Sequence, residues 1–143
     1  MRYGDLVQLY FHRSNALQWY WTVYVVVIGG LLAFSSLRQR PHALTAILVS
    51  VLFAMFAYKN LGAIRDVTME RYAILAAIKE YPVDTTADAG GMALARQKIE
   101  PNLQPPAYEG VRNFHVASDV LTLAAIWAME WRRMRATRAP VLP

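Results

Sequence analysis

The stretch ALQWYWTVYVVVIGGLLAFSSL, residues 16–37, decides the fold class, because its 22 residues include no formally charged side chain. A helix of roughly 20 apolar residues crosses the hydrocarbon core of a bilayer, which is about 30 Å thick. Ser14 or Asn15 can cap the start of such a helix by accepting hydrogen bonds from open backbone donors. Ala33 and Ser35 also fit the cleavage pattern of a signal peptide, but the apolar run is long for one. We therefore expect a retained transmembrane helix.

Two further apolar windows follow the first one along the chain. The segment ALTAILVSVLFAMFAY, residues 43–58, is uncharged, and NLGAI extends its apolar character to residue 64. Because RQRPH at 38–42 is a tight basic connection, the first two windows predict a transmembrane hairpin over residues 14–64. The third window lies in NFHVASDVLTLAAIWAMEWRRMR, residues 113–135, and ends in a basic stop. The sequence predicts an all-α integral membrane protein with three transmembrane helices.

Residues 65–112 are predicted to lie outside the membrane. An amphipathic helix should run to Tyr81, because Pro82 cannot continue the hydrogen-bond ladder. Arg71 interrupts its apolar stripe, and the connector beyond it is irregular, with a short helix over 92–99. The stripe consists of Ile64, Val67, Ile74, Leu75, Ile78 and Tyr81.

The two ends of the chain are predicted to lie at or beyond the membrane surface. In residues 1–13 an apolar side, with Leu6, Leu9 and Tyr10, predicts a short interfacial helix. Residues 136–143 form a basic tail.

Composition excludes several kinds of site. The chain is 56% hydrophobic and only 17% charged, against about 25% charged in ordinary globular proteins. It contains no cysteine, which excludes disulfides, thiolate nucleophiles and iron–sulfur ligation. The net charge of +5 comes from basic residues beside the apolar windows. This placement indicates contact with a lipid bilayer and no binding of nucleic acid.

Aromatic and basic residues at the window ends predict how the helices are anchored and oriented. Lys and Arg collect in short cytoplasmic loops and flanks. The 38–42 connection and the C-terminal flank are the most densely basic short segments. We therefore expect a cell-membrane protein whose C-terminus is cytoplasmic, with the N-terminus and residues 65–112 outside. The expected anchors are Trp19, Trp21, Tyr24, Trp127, Trp131, Arg132 and Arg133.

Asp119 is the candidate site, since it lies about 18 Å from the Trp131 end at 1.5 Å per residue, hence roughly 12 Å inside the other interface. A carboxylate at this depth should face protein. His115 lies four residues earlier, on the same helix face. The pair is interpreted as polar contacts between helices, or alternatively as a proton or ion relay. Thr22 and Thr122 are the expected partners.

Metal binding and catalysis have weak support in the sequence. His115 and Asp119 could share a metal ion with His12, but nothing in the sequence brings His12 near them. No zinc-protease motif and no phosphate-cradling glycine loop occurs. We therefore expect no enzyme activity, no cofactor and no metal. Glu130 and Arg133 are predicted to form an exposed pair that contributes little.

Small residues repeat along one face of each window. Such faces let helix backbones approach closely in lipid. Together with the missing catalytic constellation, they favour a non-catalytic accessory or scaffold subunit of a membrane complex, bound to other membrane subunits as a hetero- or homo-oligomer. The alternative is a homo-oligomeric channel or proton-coupled transporter with Asp119 and His115 lining the pathway. The packing candidates are Gly29, Ala33, Ala46, Ser50, Ala54, Ala57, Ala124 and Ala128.

Overall fold

A computed structural model describes residues 2–82 and 89–138, and the described part of the tail therefore ends at residue 138. These ranges contain α-helices and one 3₁₀ turn but no strand, which confirms the all-α class. Two of the helices, α1 and α2, are long and apolar enough to cross a membrane, judged by length and composition. The elements are α1 (Tyr3–Leu37), α2 (Ala43–Glu80), α3 (Ala89–Ile99), the 3₁₀ turn (Glu100–Asn102) and α4 (Tyr108–Arg138).

Helix α1 is continuous through the boundary expected after residue 13. The segment HRSNALQ, residues 12–18, contains neither proline nor glycine, so nothing in it interrupts the backbone ladder. The Ser14 hydroxyl donates to the Tyr10 carbonyl at 2.9 Å, inside the helix, and does not act as a cap. The helix start lies at Arg2, whose backbone N–H donates to the Asp5 carboxylate at 2.8 Å.

Helix α2 joins the second apolar window and the amphipathic segment into one rod of 38 residues. It begins after His42, whose Nδ1 accepts from the Thr45 backbone N–H at 3.3 Å. It ends at Glu80, two residues before Pro82, as the sequence predicts. The short helix expected over 92–99 is present as α3 and starts earlier, at Ala89.

The N-terminal part of α1 lies along the C-terminal part of α2, and we call residues 3–13 with 65–80 the stalk. Tyr3, Leu6 and Tyr10 are buried against Leu75 and Ile78. The expectation of a separate interfacial helix in residues 1–13 is thus corrected, because its apolar side is covered by α2. The predicted apolar stripe of α2 supplies the complementary face, which explains why the two segments pair.

Arg71, which interrupts the stripe, is accommodated inside the stalk. Its guanidinium lies 4.9 Å from the Tyr10 ring centroid and donates to the Tyr10 hydroxyl at 3.0 Å. At the stalk surface Arg13 pairs with Glu70 at 3.0 Å. A cation over an aromatic face is attracted by the ring quadrupole, and this attraction stabilises Arg71 in the largely apolar interior of the stalk.

Arg96 of α3 closes the tip of the stalk. Its guanidinium donates to the backbone carbonyls of Ile78 and Tyr81 at 2.9 and 3.0 Å, at the end of α2 where carbonyls lack a helical N–H partner or accept only the capping bond from Tyr81. It also pairs with Glu100 at 2.9 Å. Burial and then the Glu100 carboxylate raise the pKa of Tyr3, so its hydroxyl stays protonated and donates to Glu100 at 3.3 Å.

At the opposite end of the molecule, Glu130 of α4 holds the connection between α1 and α2. The residue is fully buried, which corrects the expectation of an exposed pair. Its carboxylate accepts from the His42 backbone N–H at 2.5 Å and from Arg133 at 2.7 Å, and lies 3.7 Å from Arg38. Removing one partner of a buried charge leaves the other uncompensated, so this group, the Glu130 cluster, is strongly coupled.

The Ile78→Ala substitution tests the stalk. Ile78 is fully buried in the stalk core, and the cavity left by the missing carbons should cost about 2–4 kcal/mol of unfolding free energy. Denaturant titration in mild detergent, followed by circular dichroism, measures the change. The exposed neighbour Lys79→Ala is the control and should stay within about 0.5 kcal/mol of the parent. Equal effects of the two changes would contradict the packing described for the stalk.

Candidate functional site

His115 lies at the centre of a polar network between the three long helices. The side chain belongs to α4 and is fully buried. Its Nδ1 lies 2.9 Å from Asp119 Oδ2, and its Nε2 lies 3.2 Å from Asn60 Nδ2 on α2. In the tautomer that lets the Asn60 amide donate to Nε2, Nδ1–H donates to the Asp119 carboxylate. Both ring nitrogens are therefore occupied within the chain.

Tyr24 of α1 completes this group, which we call the His115 network. Its hydroxyl donates to Asp119 Oδ1 at 2.7 Å and lies 3.2 Å from the His115 backbone carbonyl. Its ring stacks on the imidazole, with centroids 4.1 Å apart. The Trp21 ring centroid lies 5.8 Å from that of the imidazole. The expected pairing of His115 with Asp119 therefore extends to α1 and α2.

The two threonines expected to join Asp119 bond elsewhere. Thr22 lies on the exposed side of α1 and donates to the Gln18 carbonyl of its own helix at 2.9 Å. Thr122 is buried, but its hydroxyl donates to the Ser118 carbonyl at 2.8 Å. Both hydroxyls donate to a backbone carbonyl on the preceding helical turn, so neither joins the His115 network.

Asn60 and the role of Tyr24 were missed by sequence reasoning. Asn60 follows Lys59 and opens the otherwise apolar segment NLGAI, and it is 6% exposed. An amide in an apolar run is itself a signal, because such a group needs a partner when buried. Tyr24 was expected at the interface, yet it is 2% exposed between the helices.

The other expected anchors are more exposed than Tyr24. Trp19 is 66% exposed on α1, and on α4 Trp131 is 53% and Trp127 is 38% exposed. Trp21 and Arg133 are half-buried, whereas Arg132 is exposed.

The small residues divide into two groups. Ala46 and Ala57 are buried where α2 meets its neighbours, and Ser50 accepts from the Trp127 indole at 3.1 Å. The other group is exposed and consists of Gly29, Ala33, Ala54, Ala124 and Ala128. A Cβ built on Gly29 meets no atom within 4 Å, so that backbone faces open space.

A shallow hollow of about 250 Å³ adjoins the His115 network. It lies between α2 and α4, and its lining consists mainly of apolar side chains together with Asp119. The Asp119 side chain is 18% exposed there. No cluster of three or more potential metal ligands occurs within residues 2–82 and 89–138, and His12 is exposed on the stalk. The arrangement pairs its polar groups with one another and does not aim them at a ligand.

Comparison with protein-family models, with curated proteins and with solved structures finds no match for this chain.

Replacement of Tyr24 by phenylalanine tests the network. The change removes the donor to Asp119 Oδ1 and should lower the unfolding free energy by about 1–2 kcal/mol, because a partly buried acceptor loses its partner. Thermal unfolding in mild detergent measures it. Tyr20→Phe is the matched control, since Tyr20 packs on the same helix against Leu17 and its neighbours. Destabilisation of both variants to the same degree would contradict the specific role of the Tyr24 hydroxyl.

Proposed function

We propose that this protein is a non-catalytic accessory or scaffold subunit of a membrane complex, with α1, α2 and α4 spanning the cell membrane and the stalk on the outer side. The apolar part of α1, residues 16–37, is about 33 Å long, which matches the hydrocarbon thickness. The 13 helical residues before it, 3–15, include the α1 part of the stalk and extend about 20 Å beyond the apolar part.

Exposed apolar side chains support the membrane placement. Large hydrophobic residues cover the outer faces of all three long helices, and lipid solvates such surfaces whereas water does not. On α4, Asp119 and Glu130 are both bonded to groups inside the bundle, as carboxylates at this position require in lipid. Members of the exposed set include Val25, Val26, Leu48, Leu52, Val120 and Leu121, each more than half exposed.

The observation that carries the scaffold proposal is a row of exposed residues along one side of α1. Thr22, Val26, Gly29, Ala33 and Ser36 follow steps of four, three, four and three, which place them on one side of the helix. All five are exposed, and we call them the α1 seam. All of them except Val26 are small, and small residues at such spacing allow two helix backbones to approach closely in lipid. The seam suits a helix of another subunit.

The channel or transporter alternative has less support from the contacts. A pathway lined by His115 requires the imidazole to face water or an ion. The ring is instead fully buried, stacked on Tyr24 and bonded at both nitrogens. These contacts favour the structural role of the network.

Paired substitutions at Asp119 separate the two functions. Asp119→Asn keeps an acceptor for Tyr24 and a polar group for His115, so we expect an intact complex on native gels. Asp119→Leu removes both contacts and should weaken assembly. In reconstituted vesicles, ion flux that wild type supports and Asp119→Asn abolishes would overturn the scaffold proposal in favour of the transporter.

Enlarging the α1 seam tests the partner directly. Gly29→Leu with Ala33→Leu should reduce recovery of co-purifying membrane subunits in mild detergent at least fivefold, because bulky side chains separate the two backbones. Co-purification followed by mass spectrometry measures the recovery. Ala117→Leu is the control, since it makes the same kind of change on an exposed face of α4. Recovery unchanged in the double variant, or lost equally in the control, would contradict the assigned seam.

A further inference from the structure

A hollow of about 360 Å³ lies where the C-terminal ends of α1 and α4 meet. It is separate from the His115 network and lies beside the Glu130 cluster. Three guanidinium groups line it, from two different helix ends. Its lining residues are Ser36, Arg38, Met129, Arg132, Arg133 and Ala136.

Two of these arginines are held in place by the protein. Arg133 donates to Glu130 at 2.7 Å and, through Nε, to the Arg38 backbone carbonyl at 2.8 Å. Arg38 donates to the His42 carbonyl at 3.2 Å. Each guanidinium has five N–H donors, so these contacts leave further donors on both groups. The positions of the two side chains are thus set before any ligand arrives.

The third arginine supplies charge that the protein does not balance. Within the described ranges, Arg132 makes no ion pair or hydrogen bond, and its side chain is exposed at the rim of the hollow. Three guanidinium groups line the hollow, and within the described ranges the carboxylate of Glu130 pairs with two of them, those of Arg38 and Arg133. The three positive charges and this one negative charge leave a local excess of two. Forked guanidinium donors match the oxygens of a phosphate group.

We propose that this hollow binds the phosphate group of an anionic phosphate ester, and the surroundings favour a phospholipid headgroup as its source. Leu37 and Phe34, just before the hollow on α1, are 80% and 46% exposed, so an apolar surface for acyl chains adjoins the charged one. Met129 of α4 adds an apolar side chain to the lining of the hollow. The lipid source rests on the membrane placement proposed above; the phosphate chemistry does not.

Native mass spectrometry of the full chain in neutral detergent tests the site, with phosphatidylglycerol and phosphatidylcholine as probes. We expect selective retention of phosphatidylglycerol and about fivefold weaker binding after Arg132→Gln. Arg135→Gln is the matched control, because it removes the same charge from the same helix while its guanidinium lies over Trp131, outside the hollow. That control should bind like the parent.

The possible outcomes separate the site from general basic charge. Equal loss in Arg132→Gln and Arg135→Gln, or no preference for phosphatidylglycerol, overturns the proposal. Full competition by soluble glycerol phosphate supports the phosphate site and assigns it to a soluble ester. Equal retention of phosphatidylglycerol and phosphatidylcholine by a chain that still co-purifies with its membrane partners would overturn this inference alone and leave the scaffold proposal standing.

Discussion

A polar side chain buried in an apolar bundle must find its partners within the chain, and this constraint sets the arrangement of the three long helices. His115 satisfies it by bonding to α2 through Asn60 and to Asp119 on its own helix, while Tyr24 brings α1 to the same carboxylate. The apolar surfaces around these groups allow many rotations of one helix against another. The hydrogen bonds select one of them, because any other leaves an imidazole or a carboxylate without a partner.

Polar groups at the ends of the bundle also need partners within the chain, and other residues supply them there. Helix termini leave backbone groups without intrahelical partners. At one end the Glu130 carboxylate accepts a hydrogen bond from the His42 backbone N–H. At the other end Arg96 donates to carbonyls at the end of α2. Both side chains come from a different element than the backbone they serve. The connections between the helices are therefore fixed by side chains that also join α3 and α4 to the hairpin.

The apolar windows and the stripe of the amphipathic segment could be predicted because they depend on local composition and on a period of about 3.6 residues. The pairing of His115 with Asp119 was accessible for the same reason, since spacing within one helix fixes it. The partners of His115 on the other helices could not be predicted from the sequence. Asn60 and Tyr24 meet His115 only for one rotation and one axial offset of three helices, and no pattern along the chain encodes either quantity. The same holds for Glu130, whose burial depends on the position of the 38–42 connection.

Helices α1 and α2 are unbroken from the stalk to the Glu130 cluster, and this continuity has a mechanical consequence. In the proposed membrane placement, a stiff rod of this kind would act as a lever, with the stalk as its arm outside the bilayer. Because the two rods are clamped together by packing along the stalk and by α4 farther on, they tilt as one body. Torque applied to the stalk would then reach the Glu130 cluster as a change of angle, because helices α1 (Tyr3–Leu37) and α2 (Ala43–Glu80) have no break that could absorb it.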